Sequence, residues 1–201
     1  SAYKWILGAM ETVAGRLPFP LTGLDTDNGG EFINYALAGW ATERNISFTR
    51  ARPYKSNDNA HVEQKNGDIV RRHAFHYRYD TALELQLLNE LYALVRVRFN
   101  MFTATKKAIG WRENRNGHKT RLYDKPRTPY QRVIDTAVLT PGKADELAAL
   151  FSATNPADLT RGITDIQLRL ISLAAEKTQA LRLPATRAKI REARTSVSRA
   201  S

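Results

Sequence analysis

The sequence contains no cysteine, which excludes disulfide bonds, thiolate metal sites and catalysis by a thiol. His73 and His76 form an H-x-x-H pair, but no cysteine or nearby histidine completes the four ligands that zinc generally needs, so we do not expect a zinc site there. No apolar run approaches the roughly 20 residues needed to span a bilayer, and none has the layout of a signal peptide. We therefore expect a soluble, cytoplasmic protein.

Acidic side chains are scarce beside basic ones, since 20 Asp and Glu stand against 31 Lys and Arg, for a formal net charge of +11. Most of the excess lies in the second half of the chain. Residues 1–100 hold 12 basic and 11 acidic side chains, whereas residues 101–201 hold 19 and 9. This surplus predicts a polyanionic partner, either nucleic acid or an anionic membrane surface.

Hydrophobic residues make up 42% of the chain, which suffices for the core of one or two small domains. In residues 1–100, segments with the apolar spacing of helices alternate with segments typical of strands, an order typical of an α/β layer fold. Thr81 and Glu84 form a capping-box pattern. Residues 101–135 are basic and poor in aliphatic side chains, and helical spacing returns in residues 136–201. The predicted helices cover residues 2–14, 31–44, 59–76 and 81–99, and the predicted strands cover residues 21–28 and 46–51.

Two carboxylates lie where α/β folds place ligand sites. Asp27 comes at the end of a predicted strand and is followed by Asn28-Gly29-Gly30, which favours a sharp turn. Asp25 shares its strand face with Asp27, because side chains alternate along a strand. Glu63 lies one turn inside a polar predicted helix, and 35 residues separate it from Asp27.

The motifs T-D-N-G-x-E-F, P-Y and N-A-x-x-E-x-x-N resemble the second and third blocks of the D,D-35-E signature of DDE transposases and retroviral-type integrases, in particular bacterial insertion-sequence transposases. The resemblance implies that Asp27 and Glu63 are catalytic metal ligands. It implies two Mg²⁺ ions, for which Mn²⁺ can substitute, acting in 3′-end cleavage and strand transfer of DNA. The implied partners are transposon-end DNA, target DNA and other copies of the protein, and the implied location is the bacterial cytoplasm at the nucleoid.

By the same resemblance, residues 1–100 are the later part of an RNase H-like integrase catalytic core. Residues 101–135 are then a basic linker or small DNA-binding module, and residues 136–201 a helical C-terminal region. In the family, the first Asp lies on the opening strand of the core, several dozen residues before the second, but the 26 residues before Asp27 contain only Glu11 and Asp25 as acidic side chains. We therefore expect the opening strands and the N-terminal helix-turn-helix to be missing from this chain, and the chain alone to be inactive. The alternative is a non-catalytic DNA-binding or multimerising remnant of a transposase.

Several residues are candidates for contacting DNA. Family members touch substrate DNA in the loop before the third carboxylate, and basic residues on its helix can contact phosphates, although a solvated helix face explains them as well. Residues 104–132 interleave basic side chains with Trp111, Tyr123 and Tyr130, which suits a nucleic-acid backbone, whereas the alternative is a solvated linker. The candidates are Tyr54, Asn59, Lys65, Arg71, Arg72, Lys106, Lys107, Arg112 and Arg121.

Overall fold

The protein is a mixed α/β structure with two small sheets, as the computed structural model shows for residues 2–26, 35–52 and 64–198. The α/β class expected from the sequence is thereby confirmed. The first half of the described chain holds helix α1 (Ala2–Arg16), strand β1 (Gly23–Thr26), helix α2 (Tyr35–Glu43), strand β2 (Ser47–Arg50), a π-helical segment (Asn66–Arg71), helix α3 (Arg72–Ala74) and helix α4 (Ala82–Val97).

The second half of the described chain holds a second π-helical segment (Arg98–Phe102), strands β3 (Ala108–Glu113) and β4 (Lys119–Tyr123), and helices α5 (Pro129–Ile134), α6 (Pro141–Ala153) and α7 (Pro156–Ser198). The chain divides into two compact units, Ser1–Asp68 with Tyr130–Phe151 and Ile69–Pro129 with Ser152–Ser201. The division into residues 1–100, 101–135 and 136–201 stays a prediction. Among the described residues, no helix combines the length and the apolarity that crossing a membrane requires.

In the first unit, strands β1 and β2 are parallel and helix α2 lies between them in the chain. Helix α2 buries Leu37, Trp40 and Ala41, which pack with Ile46 and with partly covered side chains of α1, β1 and β2. The helix ends because Asn45 adopts a left-handed backbone (φ 54°), which turns the chain into β2. Both strands and both helices were predicted from the sequence, and the described parts confirm them.

Glu11 fastens helix α1 to helix α2. Its Oε1 accepts a hydrogen bond from Trp40 Nε1 at 2.7 Å and another from the Arg44 guanidinium, which also lies 4.9 Å from the centre of the Trp40 ring. A buried indole N–H needs an acceptor, and Glu11 supplies it. Glu11 thus serves the packing of the first unit.

The second unit is built on an antiparallel pair formed by α4 and α7. Lys177 of α7 contacts Glu84 near the start of α4, whereas Gly162 of α7 lies against Leu94 near its end. A Cβ at Gly162 would lie 3.0 Å from Leu94 Cδ1, so the glycine lets the helices approach closely there. The buried core between them consists of Ala74, Leu87, Leu91, Val95, Ile163, Ile166 and Leu170.

The capping box predicted at Thr81 and Glu84 is present, and a residue far along the chain extends it. Glu84 N donates to Thr81 Oγ1, while Glu84 Oε2 accepts from the backbone N–H groups of Thr81 and Asp80. Glu84 is 1% exposed, and its other oxygen lies 2.7 Å from Lys177 Nζ. The hydrogen bond from Lys177 holds the pKa of Glu84 at about 2, below its ordinary 4.5.

The helix predicted over residues 59–76 is described from Gln64 onward, and it is helical to Ala74. Its geometry differs from the expected α-helix, because Asn66–Arg71 is π-helical. The helix stops where Phe75 takes a positive φ of 60°. A second π-helical segment, Arg98–Phe102, ends the long helix α4, which was predicted to reach Phe99.

Candidate nucleic-acid interface

The parallel strands β1 and β2 end at the same edge of their sheet. Thr26 and Arg50 are the last partners in the register, which begins at Gly23 and Ser47. Asp27 follows Thr26 directly in the sequence, and the segment that carries Glu63 follows two residues after Arg50. The structure therefore describes the strand ends from which both predicted carboxylate segments continue.

The predicted catalytic residues Asp27 and Glu63 themselves lie outside the described residues. The same holds for Tyr54 and Asn59, the two candidate DNA contacts in the loop before Glu63. The roles of these four residues stay predictions.

Asp25 is held in a contact across the sheet. It pairs with Thr49 in the parallel register, and its Oδ1 accepts a hydrogen bond from Thr49 Oγ1 at 2.8 Å. The next residue, Thr26, is buried and donates to the Thr49 carbonyl at 3.4 Å. Asp25 is thus an exposed strand residue with a structural partner.

Of the histidine pair His73 and His76, His73 has a packing role. His73 is buried, its Nδ1 lies 2.8 Å from the Ile69 carbonyl oxygen, and its ring meets Phe99 edge-on at 5.5 Å between centroids. Its carbonyl oxygen accepts a hydrogen bond from Gln167 of α7. Within residues 2–26, 35–52 and 64–198, no group of three or more His, Cys, Asp or Glu side chains could hold a metal ion.

Part of the basic segment 104–132 is an antiparallel β-hairpin, which was not predicted. Strands β3 and β4 are joined by a turn in which Asn114 Oδ1 accepts from the N–H groups of Asn116 and His118, at 3.0 and 2.9 Å. Gly117 has a φ of 75°, which favours glycine. The sequence did carry a signal, because Asn116-Gly117 is a strong hairpin turn dipeptide.

The open end of the hairpin is closed by hydrogen bonds. Thr105 and Arg127 form a two-bond antiparallel bridge, with N···O distances of 2.9 and 3.2 Å. One step further in, Lys107 N donates to Asp124 Oδ1 at 2.6 Å, and Asp124 N donates to the Lys107 carbonyl at 2.9 Å. These bonds place the exposed side chains of Lys106 and Lys107 at the base of the hairpin.

The register of the hairpin sorts its side chains into two faces. Trp111 is opposite Arg121 and Glu113 is opposite Lys119, so these four lie on one face, and Tyr123 joins them by alternation along β4. Arg112, opposite Thr120, lies on the other face. The predicted DNA contacts Arg112 and Arg121 are therefore on one hairpin but on opposite faces.

Exposed aromatic rings and cations are interleaved on the first of these faces. Trp111 is 61% exposed and Tyr123 is 53% exposed. The Arg121 guanidinium lies over the Trp111 ring, 5.4 Å from its centre. A cleft lined by Trp111, Glu113 and Lys119 opens on the same side. Of all the predicted DNA contacts, this hairpin collects the largest group, Lys106, Lys107, Arg112 and Arg121.

The remaining described candidates lie on the helix that begins in the described chain at Gln64. Lys65, Arg71 and Arg72 are all exposed, with Arg71 at the end of the π-helical segment and Arg72 at the start of α3. Their exposure is compatible with a contact to phosphate and equally with a solvated helix face. Their role as DNA contacts stays a prediction.

No protein-family model matches the chain. Over 102 residues, the chain is 38% identical to the uncharacterized protein y4rM of Sinorhizobium fredii (strain NBRC 101917 / NGR234). The aligned residues are 51% of this chain and 29% of that protein, so the chain matches less than a third of its relative's length.

Proposed function

We propose that the protein acts in DNA transposition, by metal-dependent 3′-end cleavage and strand transfer of the DDE transposase class. The observation that carries the proposal is that the segments bearing the two motif carboxylates both follow strand ends at one edge of the β1–β2 sheet. Asp27 and Glu63 belong to segments that continue from the ends of adjacent parallel strands, and such edges are where α/β folds bind ligands. The proposal includes an RNase H-like core, to which the β1–α2–β2 unit would belong.

The donor atoms of the motif suit the implied metal. Asp27 and Glu63 are both carboxylates, and Mg²⁺ prefers hard oxygen ligands. These two residues would hold Mg²⁺, which would neutralise charge on the phosphate and activate the attacking oxygen in an in-line displacement. Of the acidic residues that precede Asp27 in the sequence, Glu11 is bonded to Trp40 and Arg44, and Asp25 to Thr49. These bonds argue against either of them as a third ligand.

A second candidate function is that of a non-catalytic DNA-binding or multimerising remnant of a transposase. The observation that favours it is the hairpin, whose exposed cations and aromatic rings would bind nucleic acid without any chemistry at Asp27 and Glu63. Both functions predict DNA binding. Only the enzymatic one predicts that a bond in DNA is broken or made.

A strand-transfer assay separates the two functions. The product of the whole open reading frame is incubated with Mg²⁺, a supercoiled target plasmid and labelled duplexes that match the DNA flanking the gene. Covalent joining of the label to the plasmid supports the transposase. DNA binding in a mobility-shift assay without any joining, in both Mg²⁺ and Mn²⁺, would favour the remnant.

A further inference from the structure

The β3–β4 hairpin exposes nearly all of its side chains. Among the residues of its two strands, only Gly110 and Leu122 are partly covered, and Ile109 and Trp111 are 67% and 61% exposed. Two-stranded ribbons are marginally stable in water on their own, and large exposed apolar side chains commonly mark an interaction site. The hairpin therefore has the character of a binding surface.

The face that carries Trp111 has the composition of a stacking platform. Trp111 and Tyr123 are diagonal neighbours across the two strands, a relationship that separates side chains by about 7–8 Å. Each ring can therefore take a base of its own. Arg121 is opposite Trp111 in the register, two residues before Tyr123, and its guanidinium already lies over the Trp111 ring, while Lys119 extends the positive charge toward the turn.

The chemistry of this face fits unpaired nucleotides better than a duplex. An aromatic ring gains most by stacking on the flat face of a base, and every base offers such a face whatever its sequence. In a duplex those faces are covered by neighbouring base pairs, and the grooves present only base edges. Arg121 and Lys119 supply the cations that track a phosphate backbone.

We infer that the hairpin face formed by Trp111, Glu113, Lys119, Arg121 and Tyr123, here called the stacking face, binds unpaired nucleotides of single-stranded DNA. The inference rests on the proposed function, since it takes DNA as the substrate, and it adds the strand form that this surface prefers. The opposite face, with Arg112 and Thr120, lacks exposed aromatic rings and contributes charge alone.

The test compares DNA forms and matched variants of the 201-residue chain by fluorescence anisotropy at fixed salt. The probes are a fluorescent oligothymidylate and a labelled duplex of equal length. The stacking-face variants are Trp111→Ala and Tyr123→Ala. Trp5→Ala is the matched control because Trp5 is 83% exposed and lies on helix α1.

The inference predicts tighter binding of the oligothymidylate than of the duplex. Because one stacked base contributes roughly 1–3 kcal/mol, Trp111→Ala should weaken single-strand binding about 5-fold to 150-fold. Trp5→Ala should leave it unchanged, and Trp111→Phe, which keeps a ring, should restore most of it. Circular dichroism of each variant checks that the helical part of the fold is intact.

The possible results distinguish single-strand binding by the stacking face from the proposed function on which it rests. Equal binding of both DNA forms, with Trp111→Ala no weaker than Trp5→Ala, would overturn the stacking face and leave DNA binding standing. Binding of phosphatidylserine vesicles without binding of the oligothymidylate would also overturn the inference. Binding of neither DNA form at low salt would overturn the proposed function as well.

Discussion

Thr26 and Arg50 are partners at the last position of the parallel ladder between β1 and β2. Parallel strands are related so that the chain leaves both at the same edge, toward Asp27 from one and toward the segment of Glu63 from the other. Asp27 and Glu63, which 35 residues separate in the sequence, thus follow two strand ends that are neighbours in the sheet, Asp27 directly and Glu63 after 12 intervening residues. This relationship is the structural support for assigning both carboxylates to one site.

The hairpin is expected to dominate nonspecific DNA binding by the 201-residue chain. Replacing Lys106, Lys107, Arg112 and Arg121 with Ala should lower duplex affinity and reduce the slope of log affinity against log salt by up to about 3 to 4, because each lost phosphate contact removes about 0.9. Anisotropy in a salt series measures both quantities. The control replaces four basic residues within 182–199. Equal losses from both sets would show that net charge alone drives binding.

The Glu84–Lys177 ion pair should make the free energy of unfolding depend on pH in the acidic range. The pKa of Glu84 is lowered from 4.5 to about 2, so its carboxylate stabilises the folded state above about pH 4.5, and this contribution is lost as pH falls toward 2. Lys177→Met should lower the urea midpoint at pH 7 and flatten the decline of stability between pH 5 and pH 2. Lys143→Met, which removes the exposed pair with Glu146, is the control and should change the midpoint little. An unchanged acid dependence in Lys177→Met would contradict the pairing.

Leu170 and Leu168 of helix α7 offer a matched test of the two-helix core. Leu170 is 0% exposed against α4, whereas Leu168 is 61% exposed. Leu170→Ala should cost about 2–5 kcal/mol of unfolding free energy through lost burial and a cavity. Leu168→Ala should stay within about 0.5 kcal/mol of the wild type. Chemical denaturation measures the free energy of unfolding of both variants. Similar losses of stability in the two would mean that α7 does not pack on α4 through the face that carries Leu170.

Local patterns predicted the elements whose signals are local. The Thr81–Glu84 capping box depends on residues three apart, and its hydrogen bonds are present. The pairing of Glu84 with Lys177 joins residues far apart in sequence, so no window of sequence contains it. The π-helical geometry of Asn66–Arg71 could not be predicted from the sequence either, because a π-helix differs from an α-helix by one residue of hydrogen-bond register and not by composition.

The hairpin was not predicted, because two features of its sequence favour different structures. Asn116-Gly117 marked a turn, but the density of basic residues around it favoured a linker or an unspecified module. The register of the paired strands places Arg112 and Arg121 on opposite faces and brings Arg121 against Trp111. Neither relationship can be read from the sequence before the pairing of the strands is known. For Asp27 and Glu63, the motif and its spacing carry the assignment.

Metal-dependent 3′-end cleavage tests the assignment of Asp27 and Glu63 as catalytic metal ligands. The product of the whole open reading frame is incubated with Mg²⁺ and end-labelled duplexes of the DNA flanking the gene, and cleavage is followed on a denaturing gel for wild type, Asp27→Asn, Glu63→Gln and Asp25→Asn. Loss of a metal-ligating charge with the shape retained should abolish cleavage in Asp27→Asn and Glu63→Gln while DNA binding stays nearly intact. Asp25→Asn should cleave at close to the wild-type rate, because Asp25 accepts a hydrogen bond from Thr49 and an amide oxygen can accept it as well. Robust cleavage by the Glu63→Gln protein would contradict the assignment of Glu63 as an essential metal ligand.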